Sequence, residues 1–188
     1  MNATFDAIII GAGQAGPSLA GRLTAAGMTV AMIERHFFGG TCVNTGCTPT
    51  KTLVASAAIA HHARRAADFG VRIEGGITID MRAVKARQDA VVANSRNGLE
   101  NWLRSMERCT VFKGHARFES PQEVRIGDAL LRARKIFINA GGRAILPNIP
   151  GVERIAHLNN TSILELDSLP RHLIVVGGSY IGLSLIHI

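Results

Sequence analysis

The stretch Gly11-Ala12-Gly13-Gln14-Ala15-Gly16 limits what this chain can fold into more than any other. Before it lies a short apolar run at 5–10, Phe5-Asp6-Ala7-Ile8-Ile9-Ile10, rich in β-branched residues as a buried parallel strand requires. After it come a helical stretch ending near Gly27, a second apolar run at 29–33, and then Glu34. Glycines spaced this way are a weak signal alone, because small residues are common in tight turns. Strand, glycine turn, helix, strand and acid in this order describe the opening βαβ unit of a dinucleotide-binding fold. Gly11 permits the tight turn, Gly13 lets backbone approach a pyrophosphate, and Gly16 lets helix and strand pack closely. The helix N-terminus offers N–H groups and partial positive charge to the phosphates. Glu34 stands where a carboxylate accepts hydrogen bonds from an adenosine ribose.

The next unusual segment is Gly39-Gly40-Thr41-Cys42-Val43-Asn44-Thr45-Gly46-Cys47-Thr48-Pro49-Thr50-Lys51, with two cysteines five positions apart. The N-terminus lacks a basic run followed by an apolar core, so a cytoplasmic location is expected. There thiols are kept reduced, which favours a catalytic pair over a structural disulfide. Zinc fits poorly, because no second Cys-x-x-Cys or Cys/His pair lies nearby to complete four ligands. Pro49 opens an alanine-rich helical run at 50–67, which places Cys47 near a helix N-terminus, surroundings that suit a thiolate. Two buried thiols acting as small hydrophobes is the plainer alternative. Cys109 has no partner in sequence and reads as an inert core residue.

Taken together, Gly11-x-Gly13-x-x-Gly16, Glu34 and Gly-Gly-Thr-Cys-x-Asn-x-Gly-Cys-x-Pro-x-Lys resemble the class I pyridine nucleotide-disulfide oxidoreductases. These include dihydrolipoamide dehydrogenase, glutathione reductase and mercuric reductase. The resemblance runs from about residue 5 to about residue 183. It implies an α/β fold: a Rossmann-like FAD-binding domain with a parallel sheet, helices and a small antiparallel β-meander. It also implies FAD as the dinucleotide and NAD(P)H as the electron source. Cys47 would be the charge-transfer thiol against the isoalloxazine ring, and Cys42 the interchange thiol that meets substrate. Lys51 would lie near the flavin N5, its plainer reading being a solvated helix-surface lysine. Thr41, within the motif, joins the implied cofactor-binding residues. His61 and His62 match no motif and read as surface residues.

The middle of the chain carries fold more than chemistry. Asp80 is a plausible N-cap for a long amphipathic helix with apolar Val84, Val91, Leu99, Trp102, Leu103 and Met106. Arg87, Gln88 and Arg96 fill its other faces. Short β-type runs follow at 110–113, 116–119, 123–126 and 129–131, where the resembled family inserts its meander. Gly114-His115-Ala116 matches a stretch whose backbone touches adenine in that family. A buried strand at 135–138 then enters Asn139-Ala140-Gly141, which resembles the family's Ala-Thr-Gly signature, with Gly141 placed for close approach to the cofactor. Residues 147–151 form a turn-rich connector.

A second fingerprint closes the chain: an apolar run ending at Val176, then Gly177-Gly178-Ser179-Tyr180-Ile181-Gly182. The resemblance makes this the start of an NAD(P)-binding domain, with Gly177 and Gly182 in its turn and Tyr180 covering the flavin at the nicotinamide pocket. The expected division is 1–146 as the first part of the FAD-binding domain, 147–170 as connector and 171–188 as the truncated start of the NAD(P) domain. Such a domain needs roughly a hundred more residues. Relatives carry a glutamate where Ser184 stands, and the closing Leu185-Ile186-His187-Ile188 departs from the family helix. The chain therefore reads as a fragment, inactive by itself, of a homodimer whose missing C-terminal domain supplies a His-Glu pair.

The implied activity passes electrons from NAD(P)H through FAD to a Cys42–Cys47 disulfide and on to a small-molecule disulfide, dithiol or mercuric substrate. The motif favours a mercuric reductase-like protein, with dihydrolipoamide dehydrogenase and glutathione reductase open. Two rivals are a non-catalytic flavin-binding module and a flavin oxidase that ignores the cysteines. The net charge of +7 could suggest nucleic acid, but the arginines are scattered and no basic cluster alternates with aromatics. No apolar run is long enough for a membrane span. Neither nucleic acid nor membrane is an expected partner, and no metal is an expected cofactor.

Overall fold

A computed structural model describes residues 2–185. The chain divides into two compact units, one from Met1–Asn44 and Asn94–Arg143, the other from Thr45–Ala93 and Ala144–Ile188.

The first unit is built on a six-stranded sheet in the order β3-β2-β1-β6-β5-β4. Its strands are β1 (Asn2–Ile10), β2 (Val30–Glu34), β3 (Cys109–Lys113), β4 (Arg117–Ser120), β5 (Glu123–Ile126) and β6 (Ala129–Ile138). β1 pairs parallel with β2 and β6, and β2 parallel with β3. β4, β5 and β6 form an antiparallel ribbon. α1 (Ala15–Ala25) crosses from β1 to β2. Alternate residues of the inner strands face opposite sides, as the strand period of two demands. Ile8, Ala31 and Ile33 share one cluster with Val124, Leu131 and Ala133. Ile9, Val30 and Met32 share another with Ala20 of α1, Phe38 and Leu103. Burial on both faces explains why residues 7–9 and 30–33 are unbroken apolar runs.

The expected α/β sheet with its meander is present, with two differences. The runs expected separately at 129–131 and 135–138 are one continuous strand, β6. β1 lies beside it along almost its whole length, whereas β5 flanks only Ala129 to Arg132, so Ile138 remains 69% exposed rather than buried. The expected run at 110–113 is not part of the meander; as β3 it extends the parallel sheet.

In the second unit, α3 (Cys47–Arg64) begins three residues earlier than the run expected at 50–67. Gly46 caps it, and its carbonyl accepts the Thr50 N–H at 3.0 Å. A 3₁₀ turn, Ala66–Phe69, follows. α4 (Met81–Ser105) starts in this unit, and Asp80 caps it as expected, its Oδ1 accepting the Ala83 N–H at 3.0 Å. Two more 3₁₀ turns, Val152–Arg154 and Ser162–Glu165, precede a short terminal helix at Tyr180–Leu185. The apolar run before that helix joins no sheet; Ile174 and Val176 are 77% and 75% exposed. Residues 186–188, where a departure from the family helix is expected, lie outside the described residues. Among the described residues, no helix is long and apolar enough to cross a membrane.

Candidate functional site

The glycine turn lies beyond the C-terminal end of β1, where the strand order reverses between β2 on one side and β6 on the other. Ligands of open α/β sheets bind at such switch points. Gly11 has φ of +103°, and a Cβ there would come 2.2 Å from the Asn139 carbonyl oxygen. A Cβ on Gly16 would come 2.3 Å from the Gly11 carbonyl oxygen, so glycine is what lets helix and strand close up. Gly13 differs. A Cβ there would meet nothing closer than Asn139 Nδ2 at 3.8 Å. Its bareness serves no packing need of the chain and leaves backbone open at the N-terminus of α1, which fits the close approach of a pyrophosphate.

Glu34 ties the end of β2 to this turn. Its Oε2 accepts the Ala12 N–H at 2.9 Å and its Oε1 accepts the His36 N–H at 2.8 Å. The Glu34 carbonyl accepts the Gly114 N–H at 2.9 Å, which brings the segment leading to half-buried Ala116 beside the acid. Asn139 closes the other side: its N–H donates to the Ile10 carbonyl at 2.7 Å and its Nδ2 to the Gly11 carbonyl at 3.2 Å. A cleft of about 420 Å³ runs here, lined by Ala15, Gly16, Leu19 and residues 136–139. Gly141, two residues on, has φ of +69°, and a Cβ there would meet nothing within 4 Å.

The cysteine motif enters against the same turn. The Gly39 N–H donates to the Ala12 carbonyl at 2.8 Å, and Gln14 Nε2 donates to the Gly39 carbonyl at 3.4 Å. Gly40 has φ of +58°, and a Cβ there would lie 2.8 Å from the Gly13 Cα. The two glycines therefore seat the start of the motif directly on the fingerprint. Residues 40–45, for which the sequence offers no helical signal, form a one-turn helix, α2 (Gly40–Thr45), with no buried residue. It carries exposed Thr41 and half-buried Cys42.

Asn44, at its end, donates through Nδ2 to the carbonyls of Phe38 (2.9 Å) and Gly40 (2.8 Å). Its Oδ1 accepts from Arg96 Nε at 2.8 Å. Arg96 thus reaches the motif across 52 positions, a role that its place among the polar residues of α4 does not reveal. Periodicity cannot signal such a contact. The paired glycines could have signalled the docking of residues 39–40, since glycines at positive φ mark close backbone approach.

In the second unit, Cys47 is the first residue of α3 and is exposed, as is Lys51 one turn later. Their spacing puts both on one helix face. Pro49, Thr52 and Leu53 fill the buried face. The second glycine turn copies the first in miniature. Gly177 has φ of +111°, and a Cβ on Gly182 would lie 2.7 Å from the Gly177 carbonyl oxygen. Tyr180 is 83% exposed on the terminal helix, which also carries Ser184. Gln88, expected on a polar face of α4, is instead buried, with Oε1 lacking a partner. Arg87 reaches α3, donating to the Thr52 carbonyl at 3.0 Å. Cys109 is half-buried, and burial pushes its thiol up from the ordinary range, which suits an inert role. Among the described residues, no three His, Cys, Asp or Glu side chains converge as a metal site.

Residues 5–187 match the family described as pyridine nucleotide-disulphide oxidoreductase. The chain is 37% identical over 186 residues to a dihydrolipoyl dehydrogenase of Chlamydia pneumoniae, covering 97% of this chain and 40% of that protein. It is 35% identical over 181 residues to a mercuric reductase of Lysinibacillus sphaericus, covering 96% and 33%. Among solved structures, the HOCl-induced flavoprotein disulfide reductase RclA from Escherichia coli superposes with a TM-score of 0.80 at 36% identity, covering 95% of this chain and 38% of that one. The chain thus spans between 33% and 40% of the length of these relatives. With the family match covering nearly all of its residues, the chain belongs to the pyridine nucleotide-disulphide oxidoreductase family.

Proposed function

We propose that the full protein is a homodimeric FAD-dependent oxidoreductase of the cytoplasm that moves electrons between NAD(P)H and a substrate through the Cys42–Cys47 pair. The observation that carries this reading is the seating of Gly39 and Gly40 on the glycine turn, which ties the start of the cysteine motif to the switch point of the sheet. Residues 1–146 would form the first part of the FAD-binding domain, 147–170 the connector and 171–188 the start of the NAD(P)-binding domain.

FAD, when bound, supplies the reversible two-electron chemistry that connects a nicotinamide to thiols. The chain's own residues bind and orient. The N–H groups of residues 11–16 would hold the pyrophosphate, with Gly13 giving access. Glu34 would hold the ribose and the backbone near Ala116 the adenine, with Thr41 and Gly141 contacting the cofactor. Cys47, at the positive end of α3, is proposed as the flavin-side thiol, and Lys51 as the cation on the same face. Cys42 would exchange with substrate. Gly177 and Gly182 would hold NAD(P), with Tyr180 at the nicotinamide.

Substrate remains a choice among disulfide, dithiol and mercuric ion. The mercuric preference rests on the cysteine motif alone, because relatives of similar identity divide between dihydrolipoyl dehydrogenase, mercuric reductase and RclA.

Anaerobic titration of the FAD-loaded protein with NADPH and NADH tests the reading. A long-wavelength absorbance band on two-electron reduction, lost in Cys47→Ser and kept in Cys42→Ser, is expected. Flavin that never binds, or that is reduced identically in wild type and Cys47→Ser, would sink the proposal.

A further inference from the structure

We propose that Arg96 is a positioning residue for the cysteine turn, acting on Cys42 through Asn44; the proposal rests on the dithiol reading above. α2 has no buried residue and spans only residues 40–45, too short to hold its own shape. Its entrance is two glycines at positive φ. Something outside it contributes to the direction in which Cys42 is presented.

That something is a chain of contacts ending in the core. Asn44 Nδ2 donates to the carbonyls of Phe38 and Gly40, and so ties the far end of the turn back to its entrance. Phe38 is 1% exposed, a fixed anchor. The Asn44 amide has one acceptor and one NH₂ group, and it meets its partners in only one of its two flipped orientations. Arg96 selects that orientation, because its Nε donates to Oδ1 at 2.8 Å and a guanidinium can face only the oxygen. Arg96 is itself held, its guanidinium carbon 3.9 Å from the centroid of the Phe37 ring. Its helix is pinned by fully buried Leu103. A lysine would keep the charge and lose both the flat stack and the fixed donor direction.

On the dithiol reading, holding residues 40–45 in one conformation lowers the entropy lost when Cys42 pairs with Cys47. The readout is the exchange of the pair with glutathione. The Cys42 and Cys47 thiols give up two protons and two electrons, one Sγ–Sγ bond forms, and the S–S bond of oxidised glutathione breaks to two glutathione thiols.

The test compares wild type, Arg96→Ala, Arg96→Lys and, as control, Arg104→Ala on the same helix. Each is equilibrated in glutathione buffers and quenched, and the thiols at 42 and 47 are counted by mass tagging. Amide exchange over residues 38–45 is followed in parallel. Arg96→Ala should lower the equilibrium constant for disulfide formation by about three- to ten-fold and speed exchange in that segment. Arg96→Lys should recover less than half of the loss, and Arg104→Ala should match wild type. Should Arg96→Ala not fold, Arg96→Lys carries the test with a loss of about two-fold or more. An unchanged constant in Arg96→Ala, even with faster exchange, overturns the positioning role; so does an equal shift in Arg104→Ala. A wild type that forms no Cys42–Cys47 disulfide in any buffer overturns the dithiol reading and takes this proposal with it. Exchange rates would still report whether the clamp itself exists.

Discussion

Gly13 and Gly16 stand three positions apart in one turn and lack side chains for different reasons. At Gly16 a methyl group would run into the Gly11 carbonyl at 2.3 Å, backbone that cannot give way cheaply. At Gly13 the nearest atom would be 3.8 Å away. Gly16→Ala should therefore destabilise the protein by about 1–3 kcal/mol, against the usual gain of adding a methyl inside a helix. Gly13→Ala should melt within about 0.5 kcal/mol of wild type yet bind FAD at least about ten-fold more weakly. Thermal melting and flavin titration of the two variants check this, and a Gly13→Ala protein with wild-type affinity would remove the pyrophosphate from that spot.

Asp6 ties β1 to the residue that precedes β2. Its carboxylate accepts the Thr29 N–H at 2.7 Å and the Thr29 hydroxyl at 2.8 Å. The backbone bond first, then the hydroxyl, hold its pKa below the ordinary carboxylate value. A depressed folded pKa means stability present above the unfolded value, about 3.9, and lost as pH falls through the lower folded value. Melting curves from pH 6 to pH 2 should show Asp6→Asn converging on wild type only at the acid end. Parallel curves over the whole range would count against it.

At the scale of elements, α4 shows both the reach and the limit of reading a sequence. Its existence and its start are local facts: Asp80 caps it, and Asp80→Ala should cost about 1 kcal/mol in denaturant melts. Its apolar spacing also marks Leu103, which is fully buried; Leu103→Ala should cost about 2–5 kcal/mol. A cost below 1 kcal/mol for Leu103→Ala would mean that α4 packs less firmly than the cluster with Ile9 and Met32 implies.

The polar residues of α4 could not be sorted the same way. Arg87, Gln88 and Arg96 look alike as non-apolar positions, yet one donates to α3, one is buried and one holds Asn44. The partners of Arg87 and Arg96 lie 35 and 52 positions away, which no periodicity encodes. The sheet divides similarly. β1 and β2, buried on both faces, announce themselves as continuous apolar runs, and the glycine turn between them was legible with its flanking acid. β6 was not legible as one strand, because Arg132, Arg134 and Lys135 interrupt its hydrophobicity where its side chains face water.

On the scale of the whole molecule, the residues proposed to hold the adenosine half of the cofactor lie on one side of position 144. The turn at 11–16, Glu34 and the backbone near Ala116 belong to the first unit, whose last strand ends at Ile138. Residues 142–149 have no regular structure, and Ile145, Leu146 and Ile149 are 91%, 46% and 44% exposed. Exposed, irregular backbone is where proteases cut first. Brief digestion should therefore nick the chain within 142–149, as within the equally exposed irregular residues 71–78, before any strand is touched. If the adenosine half is recognised as proposed, the nicked protein freed of its C-terminal piece should keep amide-exchange protection in β1 and β2 and bind ADP within about threefold of the intact chain. Loss of protection in β1 would mean that the sheet depends on residues after 144 for its stability. Preserved protection with ADP binding lost would mean that those residues, and not the glycine turn with Glu34, supply the decisive contacts to the nucleotide.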